Sequence, residues 1–257
     1  MDLGLSGKVA IVTGGSRGIG RGIVEGLLAE GCKVVTCARN AEKLQQAVDE
    51  LRASGDIVGV PLDITSRDAG ETLLAKAKAE FGAVDVLVNN AGGNKRGAFV
   101  ELSDEDWQTV LELNFNSHVR VARAVAGEMQ KRKSGSIIFI ASIFGREAGG
   151  KGLAIYNSTK SAMISMAKIM AMELAADNVR VNSVAPGSIR FPGGSWDRRC
   201  IEDPEGMQAF IDRELPLGRF GTVEEVANVV AFLASERASL VTGTCINVDG
   251  CQSRSLI

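Results

Sequence analysis

Short apolar runs alternate with helical patterns along almost the whole chain. KVAIVT (8–13) precedes a helical stretch reaching Glu30. KVVTCA (33–38) precedes AEKLQQAVDELRAS, and DIVGVPL (56–62) precedes SRDAGETLLAKAKAEF. VDVLVNN (84–90) leads into a long helical region from Ser103 to about Lys131, and GSIIFIAS (135–142), VRVNSVAP (179–186) and GTCINVDG (243–250) are three further strands. Strands that are apolar throughout are covered on both faces, and a strand followed each time by a helix indicates a parallel sheet. The pattern predicts a doubly wound α/β fold of the Rossmann type, with seven parallel strands, helices on both faces and right-handed crossovers.

No linker, repeat or low-complexity tract interrupts this alternation, so residues 1–257 read as one domain. The least regular segment is GSIRFPGGSWDRRCIEDPEGMQ (187–208). Its glycines, prolines and charges suit a mobile substrate loop or lid over about residues 188–215; a plain surface insertion is the alternative.

Composition narrows the function by exclusion. The chain is 45% apolar and 23% charged, ordinary for a globular protein with a sizeable core. A net charge of -2 offers nothing to nucleic acid or an anionic membrane. Five cysteines, none in a C-x-x-C pair, together with a start that lacks a secretory leader, suggest reduced thiols in a cytoplasm. The longest apolar helix pattern, SAMISMAKIMAMELAA, is broken by Lys168 and Glu173 and makes a poor membrane span. The single histidine, His118, cannot build a histidine metal cluster, and no metal site is expected.

TGGSRGIG (13–20) ends the first strand and opens the first helix. Gly14, Gly18 and Gly20, with Ser16, Arg17 and Ile19 between them, let the backbone turn tightly and aim the helix's free N–H groups at a pyrophosphate. A tight turn without a ligand is the plain alternative; a Gly-Lys-Ser/Thr nucleotide loop is absent. Far along the chain the only tyrosine, Tyr156, precedes Lys160 by four residues, so the two share one helix face. A lysine cation favours the phenolate and lowers a tyrosine pKa from about 10. Ser142, at the end of a strand, can hydrogen-bond a reacting oxygen. Together these groups can move a proton to or from a carbonyl or alcohol oxygen. A surface pair with no chemistry is the competing reading.

The spacing Gly-x3-Gly-x-Gly resembles that of the short-chain dehydrogenase/reductase family, and the resemblance extends along the chain. NNAG (89–92), Asn114 in LELNFNS, the set Ser142, Tyr156 and Lys160, and APG (185–187) match the family's motifs in order. The chain resembles the family's 3-oxoacyl-carrier-protein reductases and their relatives. The resemblance implies Tyr156 as general acid/base, Lys160 tuning it and holding the nicotinamide ribose, Ser142 orienting substrate, and Asn114 supporting a water relay. It also implies cofactor contacts from Asp63 and Ile64 at the adenine, from Asn90, Ala91 and Gly92, and from Pro186, Gly187 and Ile189. A local helix-distorting hydrogen bond is the other reading of Asn114.

NAD sites of this kind usually end the second strand with an acid that binds the ribose 2′-OH. Here that position falls on Ala38, followed by Arg39, with Arg17 in the glycine loop. Two guanidinium groups suit a 2′-phosphate, so the expected cofactor is NADP(H); an NAD-dependent family member with Arg39 as a solvated charge is the alternative. Phe191 stands where the family commonly has a threonine bonding the nicotinamide carboxamide, which leaves Ser188 or the Ile189 backbone for that bond. Lys95, Arg96, Arg146, Lys151, Arg190, Arg198 and Arg199 would attract an anionic substrate or an acyl thioester, or form a solvated face balanced by Asp197, Glu202 and Asp203. Trp196 would cover substrate or anchor the lid. The helix from Asn157 is apolar on more than one face, and the resemblance implies a homodimer or homotetramer through it. The expected activity is NADP(H)-dependent oxidoreduction of a carbonyl/alcohol pair; a silent nucleotide sensor and a structural oligomer are the rivals.

Overall fold

The structure, a computed structural model, describes residues 2–256. Among them β1 (Val9–Thr13), β2 (Lys33–Ala38), β3 (Ile57–Pro61), β4 (Val86–Asn89), β5 (Gly135–Ile140), β6 (Val179–Pro186) and β7 (Cys245–Val248) form one sheet in the order β3-β2-β1-β4-β5-β6-β7. Every pairing is parallel. The chain winds outward in both directions from β1 and β4, which leaves a crevice beyond their carboxyl ends.

Alternation along each strand builds a core on each face. Ala10 and Val12 of β1 join a cluster with Ile23 and Leu27 of α1 (Gly18–Ala29), Leu44 of α2 (Ala41–Leu51) and Val230. Val9 and Ile11 join a second cluster with Leu73 of α3 (Ala69–Glu80), Val121 and Met163. A strand that feeds two cores is apolar at most positions, which is why these runs read as largely apolar stretches.

The long helical region divides into α4 (Asp104–Leu111), a π-turn (Glu112–Asn116) and α5 (Ser117–Arg132). Ser103 starts α4 with a capping box, accepting from the Asp106 N–H while Asp106 accepts from its own. After β5 comes α6 (Ala154–Leu174), and α9 (Val223–Ala234) packs beside α1 behind the sheet. No helix among the described residues is long and apolar enough to cross a membrane.

The expected irregular lid is instead helical. Residues 188–215 contain α7 (Ser195–Glu202) and α8 (Pro204–Glu214). Pro204 takes the first position of α8, where its missing N–H costs nothing, and Asp203 caps the helix by accepting from the Gly206 N–H at 2.9 Å. Trp196 stacks on Phe210 at 4.8 Å and packs against Phe220 at 5.3 Å, which ties α7 and α8 to the segment before α9.

His118 on α5 is wholly buried, with its Nε2 2.6 Å from the Ala91 carbonyl oxygen. Burial, with the nearby Lys160 charge, pushes its pKa down to about 3 against the opposing carbonyl bond. The unfolded chain takes up that proton near pH 6.5, whereas the folded chain does not. Stability therefore holds above pH 6.5 and is lost as pH falls from there toward 3. Urea unfolding at pH 7 and pH 5 should show wild type losing about 2 kcal/mol more than His118→Gln over that interval. Parallel losses in the two proteins would mean that His118 does not titrate this way.

Candidate active site

The crevice begins with the crowding of β1 against β4. Gly14 has φ +73°, a conformation that L side chains rarely adopt, and the Asn90 Nδ2 donates to the Thr13 carbonyl at 2.9 Å and the Gly14 carbonyl at 3.3 Å. A Cβ on Gly20 would lie 2.2 Å from the Gly14 oxygen and 2.4 Å from that Nδ2. Only glycine lets α1 start this close to the strand. Arg17 is the N-cap of α1 but makes no side-chain capping bond, and the first turn carries no acid. The positive end of the helix thus opens into a cavity of about 520 Å³.

That cavity brings together Gly14, Ser16, Arg17, Gly18, Ile19, Gly20, Arg39, Ile64, Asn90, Ala91 and Gly92, all expected from sequence. Lys43, which sequence reasoning missed, joins Arg17 and Arg39 as a third lining cation; its signal was a place one helical turn beyond Arg39. Asp63 does not line the cavity: its carboxylate accepts from the Thr65 N–H at 3.0 Å and hydroxyl at 2.8 Å, which holds its pKa below the usual range. Phe191 lines it from above, its ring 2.8 Å from where a Cβ on Gly18 would sit. A ring covers the phosphate loop where the sequence comparison registered only a lost hydroxyl.

Of the groups beyond β6, Pro186 ends the strand and Gly187 lines a second cavity. Ser188 is already occupied: its N–H donates to Gln252 Oε1 at 2.7 Å and its hydroxyl accepts from Gln252 Nε2 at 3.0 Å. Ile189 sits between the bonds Gly221 N–H to Ser188 carbonyl and Arg190 N–H to Gly221 carbonyl, and takes part in neither. Gln252, too distant in sequence to be noticed, fixes this turn.

The second cavity, about 590 Å³, has Ser142 and Tyr156 in its wall. The Ser142 hydroxyl accepts from the Phe144 N–H at 3.1 Å and lies close enough to the Tyr156 phenol to favour its ionisation. Lys160 is buried behind them, with Nζ 5.7 Å from the Tyr156 ring centroid and donating to the Ile140 carbonyl at 2.8 Å. The electrostatics correct the expectation of a lowered tyrosine pKa. Burial raises it, with the Ser142 hydroxyl opposing, and burial also brings Lys160 down to about 8. Both charged forms suffer from the same low-dielectric surroundings.

Asn114, buried in the π-turn, accepts from the Gly93 N–H at 2.8 Å and donates to the Gly93 carbonyl at 2.9 Å and to Thr159 Oγ1 at 3.1 Å. It ties the loop after β4 to α6, so its bonds are long-range rather than local. A Cβ on Gly92 would lie 3.2 Å from Asn114 Oδ1 and 3.9 Å from Lys160 Nζ, so the asparagine and the lysine flank the same glycine.

The arrangement is a crevice at an uncapped helix N-terminus, lined by cations, beside a phenol, a hydroxyl and a buried amine. A family model described as enoyl-(acyl carrier protein) reductase matches residues 14–251. The chain belongs to the short-chain dehydrogenase/reductase family of oxidoreductases. It is 40% identical to the 3-oxoacyl-[acyl-carrier-protein] reductase FabG of Escherichia coli (strain K12), over 96% of this chain and 98% of that one. It is 39% identical to a tropinone reductase homolog of Arabidopsis thaliana, over 96% of this chain and 92% of the relative. The crystal structure of L-sorbose reductase from Gluconobacter frateurii, complexed with NADPH and L-sorbose, superposes with a TM-score of 0.93 at 36% identity and full coverage of both chains.

Thr13 is a third residue that sequence reasoning missed, after Lys43 and Gln252. Its Oγ1 accepts from the Asn90 N–H at 2.9 Å and the Ala91 N–H at 3.0 Å, which joins the two halves of the crevice. Thr13→Val keeps the shape and strands two donors, each worth about 1–3 kcal/mol. We expect a loss of about 2–4 kcal/mol and a Tm lower by roughly 5–15 °C. Thr13→Ser should stay close to wild type; a silent Thr13→Val in calorimetry would dismiss the role.

Proposed function

We propose that this chain is an NADP(H)-dependent enzyme that interconverts a ketone and an alcohol, with Tyr156 as the proton donor and acceptor. One observation carries the reading: a phenol and a serine hydroxyl share the wall of an open cavity, with a buried ammonium behind the phenol. The crevice fits a dinucleotide because a Cβ at Gly20 would fill the cradle and the α1 N-terminus carries no side-chain cap. Arg17, Arg39 and Lys43 would surround the adenosine 2′-phosphate, with Ala38 offering no carboxylate to repel it. The relatives support this reading, since one is described with NADPH bound, and L-sorbose and 3-oxoacyl thioesters are both ketones.

When bound, the nicotinamide supplies or accepts the hydride. The Tyr156 hydroxyl gives its proton to the carbonyl oxygen in reduction, and its raised pKa keeps it protonated and ready at neutral pH. In the alcohol direction it accepts that proton, helped by the ammonium of Lys160. Ser142 holds the substrate oxygen against the phenol. Lys160 binds the ribose next to the nicotinamide, and Asn114 steadies the loop that lies over it. The same proposal includes a homo-oligomer built on α6, which exposes Ile169 and Met172, and a reducing compartment in keeping with five free cysteines. NADPH oxidation against a panel of ketones, with the reverse reaction against alcohols, tests the activity; no turnover across the panel would refute it.

Tyr156→Phe should lower kcat by about 10²–10⁴-fold and leave NADPH affinity nearly intact, measured by single turnover and by fluorescence titration. Retention of more than about a tenth of wild-type kcat would remove Tyr156 from proton transfer.

Cofactor choice is tested at the end of β2. Arg39→Ala should weaken NADPH binding by roughly 10- to 150-fold, the worth of a hydrogen bond to a charged group, and scarcely touch NADH. Ala38→Asp should reverse the preference by repelling the phosphate and accepting from a free 2′-OH. A wild type that prefers NADH, or an Arg39→Ala enzyme that loses both cofactors equally, would refute the assignment.

A further inference from the structure

We infer that the substrate carries an anionic group, a carboxylate or a phosphate, a short carbon chain away from the carbonyl. The inference rests on the ketone-reductase reading above and specifies the ligand of that same site. The second cavity is lined by Arg96, Arg198 and Arg199 with a single acid, Glu202. Three positive charges and one negative leave +2 around the cavity, in a chain whose formal net charge is -2.

Neighbouring cations are already committed. Lys95 pairs with Asp106 at 3.3 Å and Arg190 with Asp197 at 3.0 Å, while Arg146 donates to the Cys245 carbonyl at 3.0 Å and Asn247 Oδ1 at 2.7 Å. The three cavity arginines differ. No ion pair among the described residues joins any of them to Glu202 or to another carboxylate. Arg198 gives one N–H to the Gly193 carbonyl at 2.8 Å, which fixes the guanidinium and leaves its other donors available. Arg199 lies over the Trp196 ring, 5.0 Å from its centroid, an arrangement that holds the plane while its N–H edge stays open.

A fork of guanidinium donors matches a carboxylate or phosphate in two bonds at once, and a neutral ketone gains nothing from the surplus charge. The same cavity has an apolar stretch of wall, Ile143, Phe144 and Leu153, beside its polar Asn94, Ser142 and Ser195. That leaves room for a short hydrocarbon segment joining the reacting carbon to the anion.

Two matched pairs of probes test this with NADPH: 3-oxobutanoate against its methyl ester, and dihydroxyacetone phosphate against dihydroxyacetone. In at least one pair, kcat/KM for the anion should exceed that for its neutral partner by about ten- to a hundredfold at low salt. The pair with the larger ratio identifies carboxylate or phosphate as the group recognised. Arg96→Gln and Arg199→Gln should each cut that ratio about tenfold, Glu202→Gln should raise it, and 0.5 M salt should compress it, because exposed charges are screened. Ratios near one for both pairs, or arginine variants that slow anion and neutral partner alike, would overturn the inference while leaving the reductase reading intact. Failure to oxidise NADPH with any ketone would overturn both.

Discussion

The site depends on how closely two strand ends can approach. β1 and β4 diverge at the switch point of the sheet, and the loops that follow them must form one wall. A single amide does this: Asn90 Nδ2 bridges the Thr13 and Gly14 carbonyls, in a space that a Cβ at Gly20 would occupy. The Thr13 hydroxyl answers from the other side by accepting two backbone N–H groups. These bonds use up the polar groups of the turn internally, so the N–H groups opening α1 are the ones that face the cavity. The open N-terminus of α1 is thus a by-product of satisfying the backbone of the switch point.

Below that wall, burial governs the chemistry more than charge pairing does. Tyr156 and Lys160 share a helix face, yet the low dielectric lifts the phenol and lowers the amine. At neutral pH the phenol keeps its proton and the amine remains mostly an ammonium, so the resting site sets a neutral donor beside a readily neutralised cation. A charged cofactor and a polarised carbonyl would change that balance, because desolvated groups respond strongly to any new charge near them.

These features were not equally legible in the sequence. β2 and β6 coincide residue for residue with the runs KVVTCA and VRVNSVAP, whose recurring valines mark a strand even where polar residues such as Thr36, Arg180 and Asn182 are buried among them. The cavity at the start of α1 was legible through its glycines, which report backbone geometry directly. Segment 188–215 was not. None of the residues of α7 or α8 is buried, so no apolar periodicity marks them, and Pro204 reads as a breaker although it begins a helix. The lowered tyrosine pKa was inferred from helical spacing, which carries no information on desolvation. The contacts of Ser188 with Gln252 and of Asn114 with Thr159 span 64 and 45 residues, beyond any local pattern. Likewise the basic residues near the substrate looked alike in sequence; only their partners separate Lys95, Arg146 and Arg190 from the arginines lining the cavity.

The energetics also bear on whether the chain is an enzyme or a silent binder. A sensor or a structural oligomer needs the crevice at the β1–β4 switch, and the bonds of Thr13, Asn90 and Gly20 supply it without help from α6. Lys160 is another matter. It is nearly fully buried, and its pKa is depressed from 10.5 to about 8. A depressed lysine pKa means that the folded state resists the proton that the unfolded chain accepts, so below pH 8 the fold carries a penalty of about 3 kcal/mol. A methionine or leucine in that place would remove the penalty and keep the packing. An ammonium held there at such cost, 5.7 Å from the centroid of the chain's only tyrosine, fits a site organised to move a proton better than one that only holds a nucleotide.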